Sequence, residues 1–418
     1  MISCNLLSVD EKLQERLRSV LRDRLPGFAA EKLFLTATHI HTGPFMAEDI
    51  LSRFWGDEFG YSEADPKITK PSEYIGFLVA QLADAAAEAW ESRAPGGISR
   101  ESGYAALSYN RRVVYTDGTA VMYGNTKTDS FDMLEGPEDN GVELLYFWNA
   151  DRKLTGVAVN TNCPAQILEH KRYITADYWG EVRKELGRRF GRELIVLPLL
   201  GSAGDLSPRD LIRLGREERE MYCEPMYNEA GLGIIARRLA DVVEDRLAEA
   251  AKEIRFGIAF GHGIREVPLP TRMISKEEAE QAGLQYAGWA EKHASLKDLS
   301  ESELMKLSFM LAKRNRAALQ EIKPFYKAEV HVIRLGDAVI ATNPFELFLV
   351  YGMRIKARNR AAQTFITQLS CDYGGYLPTE RAIAGGGYSA NVSNGFVGPE
   401  AGEILVIVTV EMINDLFK

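Results

Sequence analysis

The chain has 418 residues, 46% of them hydrophobic and 26% charged, and carries a formal net charge of −9 at pH 7. This is the composition of an ordinary soluble globular protein, long enough for one large domain or two modest ones. The acidic balance and the lack of a long basic run argue against a nucleic-acid partner, and no stretch of eighteen apolar residues offers a membrane span. Four cysteines, Cys4, Cys163, Cys223 and Cys371, lie far apart and form no CxxC pair. That usage fits free thiols in a reducing compartment and excludes a disulfide scaffold. The opening Met-Ile-Ser-Cys-Asn-Leu-Leu has none of the regions of a secretory signal, so the expected location is the cytoplasm.

Ser8-Val9-Asp10-Glu11 is a capping-box pattern, and Leu13, Leu17, Val20 and Leu21 follow at helical spacing. Pro26-Gly27 stops that helix. The apolar run Leu33-Phe34-Leu35 then starts a strand leading into Thr36-Ala37-Thr38-His39-Ile40-His41-Thr42-Gly43-Pro44. Alternate strand residues share a face, which predicts His39 and His41 side by side before Thr42-Gly43-Pro44 turns the chain. Two imidazoles at a strand end suit a metal or proton handling. The plainer reading is one hydrogen-bonded core histidine and one on the surface.

A second helix begins at Ser72 after Pro71 and runs to about Glu91. Residues 98–160 read as β, in runs at 103–109, 112–115, 120–123, 143–148 and 155–160. Helix returns at about 174–190, followed by an apolar strand at 194–200. A helix at about 228–252 precedes strands near 254–269, and a charged helical stretch runs from 275 to 322. Strands at 328–342, a helix at 344–358, a strand at 364–370 and a helix near 400–412 complete the chain. No repeat or low-complexity linker appears, and residues suited to chemistry come from both ends. The expected organisation is one α/β domain over 1–418, with 275–322 as an insertion or cap.

Five further segments look unlike scaffold. Tyr109-Asn110-Arg111-Arg112 puts two guanidiniums and an amide where a strand ends, and Gly201-Ser202-Ala203-Gly204-Asp205-Leu206-Ser207-Pro208 is a small-residue loop after a strand. Asn343-Pro344-Phe345-Glu346 sits at a strand-to-helix junction, where an acid serves as a helix-start charge or a metal ligand. Cys371 to Thr379 follows another apolar strand, and Gly385-Gly386-Gly387-Tyr388 lies one helical stretch beyond. Each has a plain alternative: a surface ion pair for Arg111, a turn for the glycines, aromatic packing for Tyr373, Tyr376 and Tyr388. Their shared position at strand ends, where α/β folds collect their sites, speaks for function.

These motifs, in this order, resemble those of the neutral (non-lysosomal) ceramidases and their shorter bacterial relatives, over nearly the whole chain. The markers are Thr38-His39-Ile40-His41-Thr42-Gly43-Pro44, Asn110-Arg111-Arg112, Gly204-Asp205-Leu206-Ser207-Pro208, Pro344-Phe345-Glu346, and Tyr376-Leu377-Pro378-Thr379 ahead of Gly386-Gly387-Tyr388. The resemblance implies a mixed-sheet α/β catalytic domain surrounded by helices and a Zn2+-dependent amidase chemistry. It makes His39, Glu346 and Tyr376 metal ligands and gives His41 an acid/base or carbonyl-polarising role. It makes Arg111 a substrate-site arginine, Tyr388 an oxyanion stabiliser and Ser207 the match of a serine once taken as nucleophile. Zinc would lower the pKa of a bound water and polarise the scissile carbonyl.

The sequence departs from the family where a further zinc histidine is expected. It has Val159-Asn160-Thr161-Asn162-Cys163-Pro164-Ala165-Gln166 there, with His170 nearby. Zinc with three protein ligands and water is one reading. The other is a metal-free site using His39, His41, Asp205 and Glu346 as acids and bases. No C-terminal β-sandwich and no export signal of the kind found in true ceramidases are expected, and the first residues read as part of an early strand. Polar residues at the expected site, Asn110, Arg111, Asn160, Asn162 and Asp177, point to a small polar ligand, a sugar derivative or polar amide. Asn110, Asn162 and Tyr373 are the substrate-binding candidates. The expectation is a hydrolase of a small polar amide or related bond. The alternatives are a metal-independent glycosidase or lyase and a non-catalytic binding protein. The partner is a small molecule, with no nucleic acid and no membrane anchor, and self-association as a homo-oligomer is left open.

Overall fold

Strands with apolar residues on both faces organise the chain. The structure, a computed structural model, describes residues 1–44, 69–213, 228–292 and 300–418. One four-stranded sheet runs in the order Ile195–Leu200, Leu154–Thr161, Gly141–Asn149, Gly96–Tyr104, the first pair parallel and the others antiparallel. A second runs Phe260–Pro270, Phe325–Leu335, Ala338–Thr342, Gln363–Thr367, with only the last pair parallel. Leu145, Ala158 and Leu199 of the first sheet pack against Ala338, Ile340 and Phe365 of the second. The intervening residues point outward. Leu144, Tyr146, Val157 and Val159 meet the helices Asp177–Phe190 and Glu229–Ala250. Val339, Ala341 and Ile366 meet Leu349–Arg358 and Pro399–Asp415. The period-2 alternation thus yields four layers, helix–sheet–sheet–helix, and this is the mixed α/β architecture with surrounding helices that the sequence predicts.

Helices Glu11–Arg24 and Pro71–Glu91 close one end through Leu13, Leu17, Ile75 and Val79, packed with Leu200, Leu206 and Leu349. At that end both parallel pairs terminate together. Gln368 N–H donates to the Leu200 carbonyl (3.0 Å), and the Gln368 side-chain oxygen accepts from Ala203 N–H and Leu347 N–H (3.0 Å each). The loops after 161, 200, 342 and 367 therefore meet, at the carboxyl ends of parallel strands where open α/β sheets hold ligands.

Several expectations need correction. The first helix is capped by Asp10, whose carboxylate accepts from Leu13 N–H, and not by Ser8. The strand before the histidines is short, Leu35–Ala37, paired in parallel with Ile2–Cys4, and stops before either imidazole. The helix expected at 344–358 starts at Leu349; Glu346 lies in a two-residue strand, Glu346–Leu347. A strand at Phe131–Leu134 was not foreseen, because its alternation Phe-Asp-Met-Leu is too short to read. The stretch 275–322 divides into Lys276–Ala290 and Glu301–Ile322, with 293–299 outside the described residues, as is Cys223. Among the described residues no helix is long and apolar enough to cross a membrane.

Candidate active site

Thr38 N–H and Ile40 N–H donate to the Cys4 and Leu6 carbonyls (3.0 Å each), which holds the histidine segment against the first residues of the chain. Between them His39 adopts a left-handed backbone, φ 62°, a strained state for a residue with a side chain. The histidines therefore do not share a strand face, as expected from alternation; their rings meet edge to face with centroids 4.8 Å apart. His39 Nδ1 lies 2.9 Å from the Leu7 carbonyl oxygen. A carbonyl only accepts, so Nδ1 carries the proton and Nε2 is the free position. That atom is 3.3 Å from Glu346 Oε2, and both side chains are buried.

Glu346 is held by backbone pairing. Its strand runs parallel to Tyr376–Leu377 with Glu346 opposite Tyr376, and Gly204 N–H donates to the Leu347 carbonyl (2.9 Å). Gly204 must be glycine here, since a Cβ would sit 2.3 Å from the Glu346 carbonyl oxygen. Tyr373 Oη donates to Glu346 Oε1 at 2.9 Å. Burial alone would raise the Glu346 pKa, but positive charge at the His39 position, with Arg111 and the Tyr376 hydroxyl, outweighs it and holds the carboxyl at about 2. The carboxylate is ionised.

Tyr109–Asn110 pairs antiparallel with Leu206–Ser207, which aims Arg111 into the same space. Arg111 Nη2 donates to Tyr376 Oη (3.1 Å) and to the Gly204 carbonyl (3.0 Å), and lies 4.0 Å from Glu346 Oε2. Burial, reinforced by the Glu346 charge, keeps the Tyr376 phenol well above its usual pKa. Tyr388 packs edge-on against Tyr376, centroids 5.9 Å apart, and against Phe309 at 5.7 Å. His41 keeps 30% of its side chain exposed and sets Nδ1 3.5 Å from Glu169 Oε2. Desolvation by the surrounding protein, then His39 and Arg111, lowers its pKa to about 3, so the ring is neutral near pH 7.

The structure thus brings together His39, His41, Arg111, Glu346, Tyr373, Tyr376 and Tyr388. Ser207 joins them through Tyr123, whose hydroxyl is 3.2 Å from Ser207 Oγ and 3.4 Å from Arg111 Nη1. Asn110 and Asp205 lie behind the pocket. The Asn110 amide donates to Asp205 Oδ2 (3.0 Å), and Asp205 Oδ1 accepts from Leu349 N–H (2.8 Å). Burial raises the Asp205 pKa to about 6. Asn162 points elsewhere, donating to Asp139 Oδ2 at 3.0 Å. Sequence reasoning missed Tyr123, Gln166, Glu169 and the Leu7 carbonyl. Tyr123 carried a signal as the last residue of a predicted strand, and Gln166 lay in the segment where the histidine is absent.

No protein-family model and no curated protein matches the chain. Solved structures do. A neutral ceramidase from Pseudomonas aeruginosa superimposes with a TM-score of 0.67 at 17% identity, over 99% of this chain and 65% of that one. The fold is ceramidase-like. A second structure, a ceramidase complexed with C2, gives 0.66 at 15% identity over 99% of this chain and 67% of that one. The chain thus spans about two thirds of the length of these ceramidases, and at such identity the likeness establishes the fold alone.

Whether this cluster suits the implied zinc is a question of its donors. With Nδ1 protonated, His39 Nε2 presents a lone pair to an ionised carboxylate oxygen, an arrangement that needs a positive charge between them. A proton or a metal ion meets that need. The 3.3 Å separation is the edge of a tetrahedron with metal–ligand bonds of about 2.0 Å. The Leu7 carbonyl behind the imidazole and Tyr373 behind the carboxylate are the outer hydrogen bonds that metal ligands require. His39 Nε2 and Glu346 Oε2 therefore fit two ligand positions of a divalent cation, with the Tyr376 hydroxyl, which accepts from Arg111, beside them.

Cys163 is not a further ligand. Its thiol donates to the Leu107 carbonyl (3.3 Å) inside the core, and burial pushes its pKa far up. His170 is exposed. A second cluster, Glu329, His331 and Cys371, brings three ligand-type atoms within 4.8 Å. There Arg18 donates to Glu329 Oε1 (2.6 Å) and Oε2 (3.1 Å), and both His331 nitrogens are engaged, with Glu329 (2.7 Å) and His262 (2.8 Å). The guanidinium supplies the charge a metal would bring, and the cluster is a structural ion-pair network.

Proposed function

We propose that the chain is a hydrolase that cleaves an amide or related bond of a small polar substrate in this pocket. The observation that carries the reading is the pinned His39 Nε2 facing ionised Glu346, with Arg111 and Tyr376 alongside. Zinc held by His39, Glu346 and Tyr376 would supply Lewis acidity and a water activated near neutral pH. The chain supplies the rest. Arg111, always charged, and the neutral Tyr388 phenol offset negative charge on a carbonyl oxygen. His41, its Nδ1 directed at Glu169, is the acid/base or carbonyl-polarising candidate. Tyr373 fixes the rotamer of Glu346.

The test is elemental analysis of untagged protein beside His39→Ala, together with turnover of a panel of polar amides. Near-stoichiometric zinc lost in the variant, with turnover abolished by His39→Ala and Glu346→Ala, is expected. Full turnover in both variants sinks the reading. The inward-facing Cys163 favours one rival, a metal-free glycosidase or lyase in which a proton joins His39 to Glu346. Asp205 does not serve that rival, because both its oxygens are engaged behind the pocket; Glu169 would have to. Activity that survives exhaustive chelation selects it.

A further inference from the structure

The second sheet ends at the strand Phe260–Pro270, whose outer edge changes character along its length. In an antiparallel pair, successive residues point their backbone groups alternately toward the neighbour and away from it. Three bonds fix the phase here. His331, opposite Ile264, sends its N–H the other way, to Thr342 Oγ1 (2.9 Å). Gly336 N–H donates to the Ala259 carbonyl (2.7 Å), and Thr271 N–H to the Pro324 carbonyl (3.0 Å). Odd-numbered residues therefore bond inward, and positions 260, 262, 264, 266, 268 and 270 face outward.

One half of this edge is closed. Pro268 and Pro270 have no N–H to present, and Arg272 N–H, next in phase, donates to the Phe396 carbonyl (2.8 Å). The edge strand of the first sheet, Gly96–Tyr104, is also covered in part. Ile98 exchanges bonds with Arg255 (3.0 and 2.8 Å), and the Glu101 carbonyl accepts from Gln363 Nε2 (2.7 Å). Along 260–266 there is no proline, no lysine and no break in register, the usual guards of an edge. Among the described residues, nothing bonds the outward groups of Phe260, His262, Ile264 or Glu266. Phe260 is 66% exposed and Ile264 39%.

The open stretch is complementary to itself. Two copies laid antiparallel about an axis at Gly263 set Phe260 opposite Glu266 and His262 opposite Ile264, so all four outward positions exchange bonds. Any other centre leaves one of the four facing a proline or lying beyond the strand. Glycine meets glycine on the axis, where the backbones come closest. Diagonal contacts join Phe260 and Ile264 of both copies in one apolar row. Glu266 falls diagonal to His262 of the second copy, where Lys32 outweighs Glu31.

We propose that this edge is a homodimer interface, residues 260–266 pairing antiparallel with those of a second copy about Gly263 and joining two four-stranded sheets into one.

The test is the mass of the full chain by sedimentation at micromolar concentration. Wild type is expected near twice the 46.6 kDa of one chain. Ile264→Lys sets like charges diagonally across the axis and should weaken the dimer at least about tenfold. Mixing it with Ile264→Glu should restore the dimer, which misfolded variants would not do. Leu284→Lys, the same change at a residue 75% exposed on Lys276–Ala290, should leave the mass alone. Gly263→Cys, whose Cβ would meet Met412 at an ordinary 3.8 Å, should cross-link to its own counterpart on oxidation, and wild type should not. A monomeric wild type, a dimer indifferent to Ile264→Lys, or no cross-link from Gly263→Cys overturns the interface.

Discussion

At Arg112 the guanidinium is wholly buried and grips Glu135 through two bonds, 2.6 and 2.9 Å, while also donating to Ser389 and the Ala382 and Gly386 carbonyls. Removing one partner of such a pair leaves a charge in low dielectric. Arg112→Met is expected to cost about 3–5 kcal/mol in urea unfolding, and adding Glu135→Leu should restore much of it. Recovery of nothing would shift the weight to the carbonyl bonds. Glu329 gives a pH signature. Burial raises its pKa, but His331 and Arg18 outweigh that and hold it at about 2, against an ordinary 4.5. The pair therefore adds stability that is full above pH 4.5 and lost as pH falls through 2. After solvent screening at this partly exposed group the term is on the order of 1–2 kcal/mol. Glu329→Gln should flatten the acid limb of a stability–pH curve; an unchanged limb assigns acid unfolding to other carboxylates. At this scale the sequence displayed residue types well and orientations poorly. Arg111 and Arg112 are neighbours of one type, yet one enters the pocket and the other the core. The tautomer of His39 depends on a main-chain carbonyl, which no side-chain pattern reveals.

The long elements were legible because burial repeats along them. The helices expected at 174–190 and 228–252 stand at Asp177–Phe190 and Glu229–Ala250, and the strand at 194–200 at Ile195–Leu200. What positions the candidate site is shorter. Glu346–Leu347 with Tyr376–Leu377, and Tyr109–Asn110 with Leu206–Ser207, are two-residue pairings with no period to detect. They predict where small changes matter. A methyl at Gly204 meets the Glu346 carbonyl at 2.3 Å, so Gly204→Ala should lower turnover at least about tenfold and reduce the melting temperature. Gly76, in the helix Pro71–Glu91 with open space around it, is the control. Gly76→Ala should stabilise by about 0.5–1 kcal/mol and leave turnover alone. Thermal melts and steady-state rates on both variants decide whether the strand pairing at 346 sets the active geometry.

On the scale of the whole molecule, the order of the motifs revealed the ceramidase-like fold, while the stacking of one sheet on the other was hidden. Ala338–Thr342 and Gln363–Thr367 are buried at every position, so their sequence does not tell which face meets helix and which meets sheet. A metal that binds only the folded chain shifts the global equilibrium. Chelator-treated protein given zinc at a hundredfold excess over its dissociation constant should gain about 2.7 kcal/mol, a rise of a few degrees. His39→Ala should show no gain; equal shifts in both proteins would place the ion elsewhere.

The carbonyl that sets the His39 tautomer belongs to Leu7, whereas Tyr376 and Tyr388 lie near the other end of the chain. During synthesis, residues emerge at about 5–20 per second, N-terminal ones first. The histidines leave the ribosome hundreds of residues before the carboxylate and phenols that complete their surroundings. Loading with an ion or substrate is therefore an event in the life of the finished polypeptide. Under the proposed zinc reading, a cell short of metal would accumulate empty chains that remain open to later loading.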